Sequence, residues 1–504
     1  MDPHDRPHTS PARDRMTPND LFAPSLPAAR PAPATDGLPW VEVAPGAPYF
    51  VLDDGRPWTP VGQNDAITWP ELAGLFRRKD LSAVERHLAW LADHGVTCLR
   101  VMLEYAHGEN RYLEKPAGRF QPNMVRLWDD LFALAARHGL RLLLTPFDTF
   151  WMWIRWRKHP LNRLNGGPCA RREDWLLDPG MMEAAKRRMT FAVERWGGHG
   201  ALFAWDLWNE MHPAHMRGSP AGFAAAASEL SRHVRALEMR LYGRSHPQTV
   251  SLFGPVLDEH PVVADTIFRH PDLDVASTHF YDAATIDWPR NTVDSAIKVG
   301  ALVREALGHA PPDRPFFDSE HGPIHLFKDK RRVLPEEFDD EYFRHIQWAH
   351  LASGGAGGGM RWPNRRPHVL THGMRRAQRA LAGFLPHVDW PRFRRRNLNE
   401  EVRPSSPSFV AFACADGEQA VVWLLRTDAR RDRGRLVDPR APALPVTVEL
   451  PGMRPGSYRV LAWDTVAGVI RDTFRAGCEG GTLRVEVPPT VADVALAIRP
   501  EGAA

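Results

Sequence analysis

Between Thr59 and Trp362 the chain repeats one pattern, a short apolar run followed by a longer segment at helical spacing, and few architectures accept it. The runs are Thr59–Asn64, Val96–Met102, Leu140–Thr145, Ala201–Glu210, Gln248–Phe253, Asp274–Tyr281, Pro315–Glu320 and the glycine-rich Gly354–Trp362. Between them, Leu81, Val84, Leu88 and Leu91 recur at helical intervals ahead of Gly95, and Met124–His138 ends on Gly139. Asp178-Pro179 has the N-cap and first-turn pattern of a helix that runs to Trp196, and Ser219-Pro220 starts another through Leu241. Further helices are predicted over Val293–Leu307 and Asp339–Ala352. Eight strand–helix steps predict an α/β fold, a (β/α)8 TIM barrel with enlarged loops, rather than an open doubly wound sheet.

At 504 residues the chain has room for more than the barrel. Residues 1–36, rich in Pro, Ala, Arg and Asp without periodicity, read as a disordered or surface-draped leader. Pro48–Leu52 followed by Asp53-Asp54-Gly55 reads as a hairpin at the start of a catalytic barrel over 37–390. Residues 391–406 read as a linker, and 407–504 as a small antiparallel β-sandwich. Its strands are expected at Phe409–Cys414, Ala420–Leu425, Val446–Leu450, Tyr458–Trp463 and Leu483–Val487, with turns at Asp416-Gly417 and Pro455-Gly456.

Several function classes are disfavoured by composition. Lys and Arg number 64 against 61 Asp and Glu, a net charge of +3, which gives no basis for a nucleic-acid partner. The run Arg392-Phe393-Arg394-Arg395-Arg396 reads as a solvated linker that packs on the barrel. The four cysteines, Cys98, Cys169, Cys414 and Cys478, form no CxxC pair and so neither a zinc motif nor a disulfide framework. The N-terminus has no apolar signal core and no run is long enough to span a bilayer, so the expectation is a cytoplasmic protein with no membrane partner. The 18 tryptophans stand out, because flat rings with a donor at one edge suit sugar faces as well as cores.

Reactive side chains gather where strands end, the rim on which barrel enzymes carry their chemistry. The second strand ends near Arg100, the fourth in Asn209-Glu210, the sixth in His279-Phe280-Tyr281, the seventh in Glu320-His321 and the eighth in Trp362. Two carboxylates, three strands apart around a ring, face one central pocket.

The ordered set Arg100, Trp205-Asp206-Leu207-Trp208-Asn209-Glu210, His279-Phe280-Tyr281, Asp318-Ser319-Glu320 and Trp362 resembles the clan A glycoside hydrolases, most closely glycoside hydrolase family 5, over residues 40 to 390. The resemblance implies a retaining β-glycosidase acting on a β-linked gluco- or manno-configured glycan or oligosaccharide, without cofactor or metal. It implies Glu210 as general acid/base and Glu320 as nucleophile. It also implies Asn209 on the sugar 2-hydroxyl, Trp362 stacked under the sugar, and His279 lining the pocket. Arg100 and the Tyr281 hydroxyl are expected to keep Glu320 ionised, and a poorly solvated setting to raise the pKa of Glu210. One departure is visible: Met211 follows the Asn-Glu pair where family members commonly carry Pro.

Other residues stay divided between two readings. Trp151, Trp153 and Trp156 serve as sugar platforms on the third loop or as its buried core. Trp208, two residues before Glu210, shares its face of the strand by simple alternation, while Trp205 points the other way. His321 meets substrate or holds the loop. His212, His215 and His325 raise a metal alternative, which lacks any HExxH spacing. The long stretches Phe147–Asp178 and His321–Pro335 tilt the expectation toward short oligosaccharides. A non-catalytic carbohydrate-binding barrel is the competing function, and the sequence leaves the oligomeric state unread.

Overall fold

The computed structural model describes residues 37–103, 112–324, 333–363, 365 and 367–502, without the side chains of Trp151 and Trp153. The leader expected over 1–36 and His325 lie outside the described residues. Eight parallel strands form the centre: β1 Gly62–Asn64, β2 Cys98–Met102, β3 Arg141–Thr145, β4 Leu202–Asp206, β5 Gln248–Thr249 continued as Ser251–Phe253, β6 Ala276–Phe280, β7 Phe316–His321 and β8 Met360–Arg361. Each pairs with the next, β8 pairs back onto β1, and the two halves of β5 pair with β4 and β6, so the ring closes as a (β/α)8 barrel.

The helices that follow the strands are α1 Leu81–Asp93, α2 Pro122–Arg137, α3 Pro179–Trp196, α4 Pro220–Tyr242, α5 Pro261–Phe268, α6 Thr292–His309, α7 Glu336–Ala352 and α8 His372–Phe384. The expected caps form: Asp178 accepts from the Gly180 N–H and Ser219 from the Gly222 N–H, with proline in the first turn of each helix. Two helices, α5 and α8, are not apparent in the sequence pattern. In α8 the buried stripe Met374, Ala377, Leu381 and Phe384 is narrow and interleaved with arginines. The aromatic stretch read as a loop contains a helix, Thr149–Arg155, capped by Asp148 accepting from the Phe150 N–H.

Ahead of the barrel, Val41–Val43, Phe50–Leu52 and Pro57–Trp58 form an antiparallel sheet that includes the expected hairpin. After it, nine strands between Arg396 and Pro500 form one continuous antiparallel sheet curled around its own core of Ala413, Val422, Val448, Val460, Val485 and Leu496. Four of these strands go beyond the expected set, two of them, Arg396–Asn397 and Arg403–Pro404, short edge strands within the stretch read as a linker. Val469–Cys478 is largely exposed and lacks alternation, while Asp493–Pro500 is the apolar central strand between Ala420–Arg426 and Gly456–Asp464.

The stretch read as a solvated linker is solvated only in part. Phe393 is fully buried and stacks on Tyr49, and Arg395 donates to the carbonyls of Gly354 and Pro312, while Arg392 stays exposed. The curled sheet is pinned to the barrel by charge: Arg344 on α7 donates to Asp493 at 2.7 Å, and the Trp423 indole donates to the same carboxylate at 2.9 Å. Replacing Asp493 by Ala leaves Arg344 buried and unpaired, and is expected to cost about 3–5 kcal/mol in urea denaturation. A loss under about 1 kcal/mol would mean that the pair behaves as a surface ion pair.

Candidate active site

Arg100, on β2 and fully buried, is the hub. Its Nη1 donates to Asn64 Oδ1 and Glu320 Oε2, both at 2.8 Å, and its Nη2 donates to Asp206 Oδ2 at 2.8 Å and to Asn209 Oδ1. The partners are anchored in turn. Asn64 donates to the carbonyls of Ser319 and Met360, and Asp206 accepts from Thr145 Oγ1, the Ser251 N–H and Ser251 Oγ at 3.0–3.1 Å. One guanidinium thereby ties together side chains or carbonyls from seven of the eight strands. A buried cation of this kind persists only where carboxylates neutralise it and its N–H groups are used.

Glu320, on β7, takes a second donor at its other oxygen, the Tyr281 hydroxyl at 2.6 Å. His279, on β6, sits between the two acids. Its Nδ1 shares a hydrogen bond of 2.9 Å with Glu210 Oε1 and lies 3.7 Å from Glu320 Oε2. Carboxylate oxygens of Glu210 and Glu320 approach within 4.8 Å.

Burial dominates the proton affinities here. It pushes Glu210 up to about 7, assisted by the negative charge of Asp206 and opposed by His215 and Arg100. It pushes His279 down to about 4, so the imidazole is neutral at neutral pH. Glu320 is also raised by burial, in spite of Arg100 and the Tyr281 hydroxyl, which pull it down. The expected aid to its ionisation is therefore present but does not outweigh desolvation.

Glu210 reaches this pocket through a break in the sheet. Ser251 on β5 donates its N–H to the Trp208 carbonyl and accepts from the Met211 N–H. A regular parallel ladder places those two partners two residues apart; here they are three apart, so the fourth strand carries one extra residue, a β-bulge. Glu210 takes up the irregularity at φ +53°, a left-handed conformation that side chains other than glycine's adopt at a cost of about 1–3 kcal/mol.

The bulge corrects the expectation for Trp208. Alternation places it on the face of Glu210, but the extra residue shifts the phase, and Trp208 is buried between Trp175 and Phe147, its indole donating to Thr149 Oγ1. Both faces of the ring are covered, so it is no sugar platform. His321 is fully buried and its Nδ1 is 2.6 Å from Asp318 Oδ2, which favours the reading in which it holds the loop.

Of the remaining expected residues, Asn209 joins the Arg100 network and Trp362 stands at the rim. Asn209 accepts from Arg100 and donates one amide hydrogen to Asp148 Oδ1 at 2.8 Å, leaving the second hydrogen for a ligand. Trp362 lies at the rim against Trp69, with ring centroids 4.9 Å apart, in a small cluster with Ala66 and Met102. The side chains of Trp151 and Trp153 fall outside the described residues, and Trp156 stacks on His159. His212 Nδ1 accepts from the Ala214 N–H at 2.9 Å, which places the ring proton on Nε2 and leaves no free lone pair for a metal.

Asn64, Asp148 and Asp206 are the parts of this network that the sequence reading passed over. Asp206 alone carried a signal, an acid inside a buried apolar run.

No family model matches the chain. Over 213 residues it is 25% identical to mannan endo-1,4-beta-mannosidase 7 of Arabidopsis thaliana, a match covering 37% of this chain and 47% of that protein. The chain thus spans about half the length of this curated relative. The chain resembles glycoside hydrolase family 5. Among solved structures, a glycoside hydrolase family 5 protein from Bacteroides vulgatus superposes with a TM-score of 0.53 at 11% identity, covering 93% of this chain and 94% of that one. A structure described as a glycoside hydrolase gives 0.54 at 12% identity, with 93% and 99% coverage. At such identities these likenesses speak for the fold, including the curled sheet after the barrel. The family 5 resemblance in sequence rests on the strand-end residues and on the mannosidase match.

Proposed function

We propose that the chain is a retaining β-glycoside hydrolase acting on a β-linked gluco- or manno-configured glycan or oligosaccharide. The observation that carries this reading is the approach of the two carboxylates within 4.8 Å. Retaining sites hold the pair about 5–5.5 Å apart, while inverting sites need roughly 6.5–9.5 Å to admit a water between them. The mannosidase relative favours the manno configuration.

In the first step Glu320, ionised and held by Arg100 and Tyr281, attacks the anomeric carbon as Glu210 gives its proton to the departing glycosidic oxygen. The bond to the aglycone breaks and an ester to Glu320 forms. In the second step Glu210, now ionised, takes a proton from water; the oxygen of that water adds to the anomeric carbon and Glu320 is released. The neutral His279 lies between the acids without adding a charge that would deprotonate Glu210. Asn209 offers its spare amide hydrogen to the 2-hydroxyl, and Trp362 offers a ring face.

The test is product stereochemistry. With aryl β-glucoside and β-mannoside substrates and a panel of β-mannan, β-glucan and xylan, the first-formed sugar is expected to be the β-anomer by proton NMR. An α-product would overturn the retaining assignment, and binding without any turnover across the panel would favour a carbohydrate-binding barrel.

A further inference from the structure

We infer that Asp65, Glu71 and His87 form a site for one divalent transition-metal ion, behind the loop that joins β1 to α1. One ligand atom from each of Asp65, Glu71 and His87 lies within 4.8 Å of the other two, and Asp65 Oδ2, Glu71 Oε2 and His87 Nε2 are buried without a hydrogen-bond partner among the described residues. Asp65 is 1% exposed. Three lone pairs converging out of water repel unless positive charge lies between them.

The rest of each side chain is committed so as to aim these atoms. The other oxygen of Asp65 accepts from the Ala66 N–H at 2.7 Å. The other oxygen of Glu71 faces Arg375 Nη2 at 3.7 Å, and its converging oxygen is 3.5 Å from His87 Nε2. Arg375 is itself oriented by donating from Nη1 to Gln63 and Gln378, and it lies over the Trp90 ring. The Gln63 amide flanks Asp65. A carboxylate held on its far side by a cation is a common outer shell of a metal ligand.

One guanidinium cannot neutralise two buried carboxylates. Asp65 and Glu71 thus share Arg375 as the cation beside them, and Glu71 meets it only at 3.7 Å. A neutral imidazole with two carboxylates is a donor set for Zn2+ or a neighbouring transition ion, with bonds of about 2.0–2.2 Å. Bonds of that length bring ligand atoms to about 3.4 Å apart at a tetrahedral angle. Glu71, on a loop, is the ligand free to close the difference.

The site also has a place in the architecture. Glu71 is two residues from Trp69, whose ring meets Trp362 edge-on and stacks on His368 at 4.6 Å. An ion held here fixes one wall of the central pocket.

The test uses the full chain dialysed against EDTA and titrated with Zn2+ by calorimetry, with melting followed in parallel. One tight equivalent and a thermal midpoint that rises with Zn2+ are expected. Asp65→Asn, which preserves shape, and His87→Ala should each lose both effects, whereas His212→Ala, at a second cluster with Glu259 and His260, should keep them. Absence of a tight equivalent in the unsubstituted chain, or binding unchanged in Asp65→Asn, would overturn the proposal and leave protons as the charge that holds the cluster.

Discussion

Glu320→Ala is expected to lower turnover of an aryl β-glycoside by about 10⁴-fold or more, because no other group stands where the anomeric carbon must be attacked. The fold is expected to survive. Arg100 loses one of its two carboxylates but keeps Asp206, Asn64 and Asn209, so the buried guanidinium remains paired. Removal of the side chain also opens space beneath the sugar, and added azide should restore turnover from that side, giving an α-glycosyl azide. Activity equal to that of the unsubstituted chain would sink the assignment, as would a β-glycosyl azide from this variant.

Glu210→Ala should show its loss selectively. A general acid contributes about 10²–10⁴-fold, and only where the leaving group needs a proton. The variant should therefore fail on oligosaccharides and alkyl glycosides, while still releasing a strongly acidic phenol in a first rapid turnover before stalling at the glycosyl-enzyme. The pH profile gives a second reading. Glu210 must be protonated in the free enzyme, so kcat/KM of the unsubstituted chain is expected to fall as pH rises through about 7. On the acidic side the rate should fall where Glu320 takes up a proton, above the ordinary carboxylate range because burial raises that group too. Glu210→Ala acting on the activated substrate should lose the alkaline fall and keep the acidic one. An alkaline limb that persists in the variant would assign it to another group.

The barrel was legible because its signals are local and repeated. Caps such as Asp178-Pro179 and Ser219-Pro220 sit where the helices begin, and the apolar runs coincide with the strands. The convergence of Arg100, Asn209, Glu210, His279, Tyr281 and Glu320 followed from their places at strand ends. What escaped depends on partners distant in sequence. Asn64 and Asp206 acquire their roles only from Arg100, which the ring closure brings to them. Trp208 was misplaced because alternation along one strand cannot register an extra residue, which is visible only in the bonds to Ser251. The strand Val469–Cys478 escaped for another reason: it lies exposed against Gly456–Asp464 and shows no apolar alternation.

The bulge at the end of the fourth strand also bears on how this chain can drift in sequence. Met211 donates the N–H that closes the bulge onto Ser251, and a proline there, the residue common in the family this chain resembles, has no hydrogen to donate. A single exchange to that residue would loosen the frame that sets the direction of Glu210, although it touches no atom of the pocket. Position 211 therefore bears on the aim of the acid through its main chain, by the bond it gives to Ser251.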